Sequence, residues 1–193
     1  YLPISSSAHL VLLPRLLGTP DPGLSFDVFL HAGTLGATLW YFRADWRDLV
    51  LKDRRLLMWI GVATLPALGV GGWVHDYAET LFRGTGVLAV TLGVFGVLLW
   101  WVDRKAGAQN AGSEKKLSPR SLLGIGLAQC LALVPGVSRS GITLTAARGL
   151  GFSRPAAARV SFLLSAPVTA AALGYESLKL LRAPTGLSVD GMS

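Results

Sequence analysis

The sequence predicts an all-α polytopic membrane protein, and three observations lead to that class. The chain is 51% hydrophobic and only 15% charged, with a mean hydropathy of +0.50, as expected for membrane-spanning chains rather than soluble domains. Leu56–Val74 and Gly84–Val102 each contain 19 residues without a charge, and each would extend roughly 28 Å as a helix, enough to cross a bilayer core. Finally, the net charge of +7 comes from short segments between apolar runs, which is an orientation signal rather than a nucleic-acid surface.

Two more segments complete the predicted crossings. Leu24–Phe42 contains one acid, Asp27, and Val160–Tyr175 continues toward Leu181. Tyr1–Gly18 is apolar but too short to cross a bilayer. The six tryptophans fall near the ends of the apolar runs, where aromatic belts lie. The predicted architecture is therefore a single integral membrane domain over residues 1–193.

The basic residues predict the orientation of the chain. Arg43–Arg55 and Asp103–Arg120 hold five basic residues each, whereas Gly18–Ser25 has none and His75–Arg83 has one. The positive-inside rule places the two basic segments, predicted as loops, in the cytoplasm. Three later basic residues mark the same side: Arg148, Arg154 and Arg159.

A polar motif, Val134–Thr143, interrupts the apolar sequence between the runs Ser121–Val137 and Ser140–Ala147. An unpaired arginine is costly inside a bilayer, and irregular backbone survives there only where it is buried or lines a cavity. We therefore interpret the motif as a broken, re-entrant segment whose tip holds an anion. Arg139 offers a planar fork for phosphate or carboxylate oxygens, and a helix restarting near Ser140 would turn its amides toward them. Three hydroxyl groups would complete the anion site: Ser138, Ser140 and Thr143. An interfacial loop with a snorkelling arginine is the alternative.

A weak repeat connects this motif with the start of the chain. An offset of 133 positions matches five pairs of identical residues: Ser5 with Ser138, Ser7 with Ser140, Arg15 with Arg148, Leu17 with Leu150, and Gly18 with Gly151. Three crossings separate the copies, so the second copy would enter the membrane from the opposite face. This predicts an inverted-topology repeat with two re-entrant helix-loop-helix segments, about 1–102 and 121–193. Chance similarity between short serine-rich segments is the competing explanation.

The two tips together carry groups suited to phosphoryl chemistry. His9 follows Ser6 by three positions, so that a helix starting near Ser5 would place both on one face. A serine beside a histidine, facing an arginine and helix N-termini, suits attack on phosphorus with stabilisation of the transferred group. Alternatively, the serines only allow close helix packing, as small residues do in membranes.

These residues also resemble a known family. Leu2-Pro-Ile-Ser-Ser-Ser-Ala-His-Leu10 and Pro135-Gly-Val-Ser-Arg-Ser-Gly-Ile-Thr143 are similar to motifs of the bacterial undecaprenyl-diphosphate phosphatases of the bacitracin-resistance type. The resemblance extends over Phe26–Thr34 and Ser161–Pro167. It implies a bacterial plasma-membrane enzyme that removes one phosphate from undecaprenyl diphosphate, with an active site open to the outer face.

The resemblance also implies roles for individual residues. Ser6 would be the nucleophile, His9 its acid/base partner and Arg139 a catalytic group that contacts the phosphates. The remaining residues would bind the diphosphate: Ser5, Ser138, Ser140 and Thr143. The family further depends on a divalent cation, Mg or Ca, and carries a pair of glutamates upstream of the position of Tyr1. We therefore expect the chain to be a fragment truncated at both ends, whose metal ligands cannot be assigned.

Two other functional classes stay open at this stage. A transporter or flippase for an anionic lipid or solute would share the broken helices and the arginine, but it needs no nucleophile. A purely structural scaffold leaves His9 and Arg139 without a role. The expected partners are the lipid substrate and the membrane, with no nucleic acid, and the sequence leaves a homodimer open.

Overall fold

A computed structural model describes residues 6–20, 23–80, 85–107 and 117–182, and every regular element in these ranges is helical. This confirms the predicted all-α class. The α-helices are α1 Ser6–Leu17, α2 Gly23–Tyr41, α3 Arg43–Leu51, α4 Arg54–Thr80, α5 Thr85–Gly107, α6 Pro119–Gln129, α7 Arg139–Gly149 and α8 Arg154–Arg182. A short 3₁₀ helix, Cys130–Leu133, continues α6.

Within these ranges, three helices are long and apolar enough to cross a membrane. They contain the spans Arg54–Trp73, Gly86–Gly107 and Arg154–Lys179, in agreement with three of the four predicted crossings. The fourth, α2, has 19 residues but is not among these three, because Asp27 and His31 reduce its hydropathy. The protein is a multi-pass membrane protein.

The predicted loop Arg43–Arg55 was wrong, because most of it forms α3. The abundance of charge there suggested a loop, yet its apolar residues recur at helical spacing. Leu49 is buried, and Trp46 packs against the same core three residues earlier. These contacts bury one face of α3 against the core, while its basic residues lie on the exposed face, as in an amphipathic surface helix.

Ion pairs gather the basic segments at one end of the molecule. Asp45 of α3 pairs with Arg159 of α8. Asp103 of α5 accepts from Arg148 of α7 and from Arg154 of α8, each at 2.7 Å. These five residues define the charged end. The structure thus confirms that the segments predicted to share a side do so, while its assignment to the cytoplasm stays a prediction.

The hydrophobic core adjoins the charged end. Near that end, fully buried side chains come from the first two turns of α4, α6 and α8, from the end of α7 and from the α7–α8 turn: Ile60, Leu122, Ile125, Ala147, Phe152 and Ala157. The core continues along α4 and α8 through Ala63 and Leu164. In the same place, Arg148 donates from Nη1 to the carbonyl oxygen of Phe152 at 2.6 Å. It follows that α6 begins, and α7 ends, at the charged end.

The local structure agrees with the proposed repeat at two points. The helices α1 and α7 cover equivalent positions at the offset of 133 residues. Both are followed by a glycine in the left-handed region, Gly18 with φ 68° and Gly151 with φ 90°. The helices that come next, α2 and α8, pack against each other. The opposite membrane orientation of the two copies stays a prediction.

This topology predicts which positions an impermeant thiol reagent reaches in intact cells. In a background without Cys130, we expect cysteines replacing Lys52 and Arg120 to be shielded and Ala78→Cys to be labelled. The reason is that α4, 27 residues long, leads away from the charged end, which the positive-inside rule places in the cytoplasm. Permeabilised cells, in which Lys52→Cys and Arg120→Cys should react, provide the control. Labelling of all three positions in intact cells would contradict the orientation.

Candidate active site

The motif Val134–Thr143, here called the second motif, lies in a break between two helices that are too short to cross a bilayer. A capping box starts α6: Ser118 Oγ accepts from the Ser121 N–H at 3.2 Å, and Ser121 Oγ accepts from the Ser118 N–H at 3.0 Å. The helices α6 and α7 have 11 residues each, or about 16 Å. They pack against each other, so the chain reverses direction between them.

The tip of this hairpin is fixed against α5. Thr91 Oγ1 lies within hydrogen-bond distance of the carbonyl oxygen of Pro135, at 2.9 Å, and of that of Val87 in its own helix, at 2.8 Å, which share its one hydroxyl hydrogen. Next to it Gly136 has φ 92°, and a Cβ atom there would meet the Leu88 backbone at 3.2 Å and overlap with the Thr91 hydroxyl. Only glycine fits this backbone conformation and this close approach. Thr91 therefore positions the tip, a role that the sequence analysis missed.

Three predicted site residues meet at the N-terminus of α7. Ser138 is the N-cap, and its Oγ accepts from the Gly141 N–H at 3.1 Å and lies 3.2 Å from Ser140 Oγ. Arg139, half-buried, is the first residue of the helix. The first-turn amides and the helix dipole favour an anion at this position. The structure therefore brings together two hydroxyls and a helix N-terminus, with Arg139 as the first residue of that helix.

Thr143 is placed differently from the other three. It is buried, and its hydroxyl donates to the Arg139 carbonyl oxygen at 2.8 Å while lying 2.6 Å from Ser161 Oγ of α8. These contacts attach the first turns of α7 to α8. Ser161 lies in one of the segments that resemble the family, and that was the only sequence signal for this contact.

The depth of the site follows from the length of α7. Arg148, at the charged end, lies nine positions after Arg139, so the motif lies at most about 14 Å above that end. This is about half of a ~30 Å hydrocarbon core. A guanidinium at that depth is costly unless an anion, water or a protein acceptor compensates it.

The structure describes only part of the first motif, Leu2–Leu10 at the start of the chain. Ser5 and the side chain of Ser6 lie outside the described residues. His9 is exposed near the start of α1, and exposed leucines follow it along the helix: Leu13, Leu16 and Leu17. Within the described ranges α1 shares no extensive interface with another helix. The contact between the two tips therefore stays a prediction.

The described residues do not provide a metal site of their own. Within residues 6–20, 23–80, 85–107 and 117–182, no three His, Cys, Asp or Glu side chains are grouped so that they could hold a metal ion. Oxygen ligands are what Mg²⁺ and Ca²⁺ require. The cation that the resemblance implies stays a prediction.

Comparisons with known proteins indicate one family. Residues 1–192 match the family model described as bacitracin resistance protein BacA. A protein of Gemmatimonas aurantiaca named undecaprenyl-diphosphatase is 49% identical over 187 residues, which cover 89% of this chain and 68% of that protein. One of Campylobacter concisus with the same name is 45% identical over 203 residues, covering 97% and 74%.

Proposed function

Because the chain belongs to the bacitracin resistance protein BacA family, we propose that it hydrolyses undecaprenyl diphosphate. The products are undecaprenyl phosphate and inorganic phosphate, so the reaction recycles the lipid carrier of peptidoglycan synthesis. The enzyme works in the bacterial plasma membrane. The observation that carries the proposal is the cluster of Ser138, Arg139 and Ser140 at a helix N-terminus within the hairpin.

The composition of this cluster fits a diphosphate. The guanidinium of Arg139 can donate two parallel hydrogen bonds to phosphate oxygens and stays charged at any physiological pH. The hydroxyls of Ser138 and Ser140 and the amides of the first turn add donors without adding charge. Donors held in advance by protein contacts stabilise the charge on the transferred phosphoryl group most effectively.

The reaction uses the first motif for the chemical step. Ser6 Oγ attacks the terminal phosphorus, the bond to the bridging oxygen breaks, and undecaprenyl phosphate leaves. His9 takes the serine proton and passes it to the oxygen of the leaving undecaprenyl phosphate. Neutral again, His9 takes a proton from the water that attacks the phosphoserine, and it returns this proton to Ser6 Oγ as inorganic phosphate leaves. Arg139 holds the terminal phosphoryl oxygens throughout. A divalent cation, Mg²⁺ or Ca²⁺, would supply further charge neutralisation when bound.

The core also supports access from the outer face. Below the hairpin tip, toward the charged end, the chain is packed with buried side chains such as Leu122, Ile125 and Phe152. The diphosphate therefore reaches the tip from the opposite end. Since the basic segments mark the cytoplasmic side, that opposite end faces outward. The polyprenyl tail would remain in the bilayer beside the exposed apolar helix faces.

Ser6→Ala should abolish phosphate release while lipid-diphosphate binding persists, because Arg139 and the α7 amides hold the anion. His9→Ala should lower the rate, as expected for loss of the general acid/base. The two losses should be far from additive, since the residues act as one unit. Single-turnover phosphate release by the purified full-length protein, with excess divalent cation, measures all three effects.

A water activated by the cation is the competing nucleophile in this experiment. It would leave Ser6→Ala with activity within about tenfold of the parent. That loss is much smaller than the loss typical of removing a catalytic group. That result would remove Ser6 from the mechanism. Ser153→Ala is the matched control, because Ser153 lies near the charged end, away from the hairpin tip, and its hydroxyl accepts from the Ala156 N–H.

A further inference from the structure

A cluster of aromatic and basic side chains ends α5. The Arg104 guanidinium lies over the Trp100 ring, 5.3 Å from its centroid, and the Lys105 ammonium lies 4.5 Å from the centroid of Trp101. Both indoles are more than half exposed. The four side chains line an open depression at the surface of this end of α5. We call these four residues the α5 basic cluster.

The two cations of the cluster differ from the other basic residues at this end. Arg148, Arg154 and Arg159 each pair with a carboxylate. In the part of the chain that the structure describes, Arg104 and Lys105 have no carboxylate partner, although Asp103 adjoins them in sequence. The carboxylate of Asp103 is already shared by two arginines. Any anion that neutralises the cluster must therefore come from outside the described protein.

The position of the cluster indicates where that anion lies. The span Gly86–Gly107 ends here, and Asp103 places this end of α5 at the charged end. Indole rings at the end of a span lie at the level of the lipid headgroups. The same arrangement recurs at the end of α2, where Arg43 lies 5.0 Å from the Trp40 centroid. The available anion at this level is a lipid phosphate.

We propose that the α5 basic cluster binds the headgroup of an anionic phospholipid in the cytoplasmic leaflet. Arg104 and Lys105 donate to its phosphate, and the exposed ring edges of Trp100 and Trp101 contact its glycerol and upper acyl carbons. Two cations without a carboxylate favour a lipid with net negative charge over a zwitterionic one, whose own amine already neutralises its phosphate. This inference rests on topology and not on the proposed hydrolysis.

Native mass spectrometry of the full-length protein in detergent tests the proposal. The protein is titrated with phosphatidylglycerol or with phosphatidylcholine of identical acyl chains. For Arg104→Gln/Lys105→Gln we expect apparent phosphatidylglycerol affinity to fall roughly tenfold or more, consistent with the attraction of each basic residue to anionic lipid. The control is Lys52→Gln/Arg120→Gln, which removes two exposed charges from the same end. Lys52 already pairs with Asp48 at 2.9 Å, and neither residue stacks on an indole.

The outcomes separate a built site from general attraction. Support consists of a loss confined to the cluster variant, phosphatidylglycerol preferred over phosphatidylcholine, and no competition from inorganic phosphate. Equal losses in both double variants would show that only net charge matters and would overturn the proposal. Equal binding of the two lipids, or displacement by millimolar inorganic phosphate, would overturn it as well. Unchanged phosphate release by both variants verifies that each is folded.

Discussion

Replacement of Arg139 by lysine is expected to cost about 2–4 kcal/mol of transition-state stabilisation, the scale of one lost preorganised donor. Lysine keeps the charge but not the planar fork, so the two parallel hydrogen bonds to a phosphoryl group are lost. The position is demanding, because Arg139 begins α7 between Ser138 and Ser140 at the tip of the hairpin. The measurement is kcat/KM for phosphate release from undecaprenyl diphosphate by the full-length protein.

The control for this substitution is Arg159→Lys. Arg159 is exposed at the charged end and pairs with Asp45, so that lysine can keep its ion pair and turnover should stay near the parent value. A folded Arg139→Lys protein with near-normal kcat/KM would show that Arg139 is structural. It would also favour the alternative explanation of the motif, an interfacial loop with a snorkelling arginine.

Gly136→Ala is the second substitution with a large expected effect, in this case on both stability and activity. A left-handed backbone costs a non-glycine residue about 1–3 kcal/mol. Overpacking against Thr91 and Leu88 adds roughly 1–3 kcal/mol. The tip must therefore move away from α5, which would displace Ser138 and Arg139 only two and three residues later. We expect a lower thermal unfolding midpoint in detergent and a large loss of phosphate release.

Gly124→Ala is a suitable control for Gly136→Ala. Gly124 lies within α6, and its added Cβ would lie 3.8 Å from Leu150 Cδ1, an ordinary contact. Alanine in a helix interior should be neutral or stabilising by about 0.5–1 kcal/mol. If both variants unfolded at the parent's midpoint and kept its activity, the close packing of the tip against α5 would be contradicted.

The sequence predicted those features that are encoded locally. Uncharged runs predicted the crossings that α4, α5 and α8 provide, and the break around Gly136 predicted the interrupted hairpin. Arg43–Arg55 was misassigned because its charges outnumber its apolar residues. Its helix depends on Trp46 and Leu49 reaching a core made by α4, α6 and α8, which no local pattern shows.

The supports of the site could not be predicted, since they join distant parts of the chain. Thr91 contacts Pro135 across 44 residues, and Arg148 reaches Asp103 across 45. Thr143 was predicted to bind the anion from its place in the motif, and that stays a prediction. Its contacts with Arg139 and Ser161 were not predicted. A threonine in an apolar run looks alike in sequence whether it faces a ligand or another helix.

The central claim is that the hairpin tip serves hydrolysis rather than transport. It is tested most directly in liposomes containing the full-length protein and undecaprenyl diphosphate, by measuring phosphate release and the fate of the lipid together. The account predicts one phosphate released for each undecaprenyl phosphate formed, with release lost on chelation of divalent cations and restored on their return. Passage of intact undecaprenyl diphosphate across the bilayer without phosphate release would contradict it.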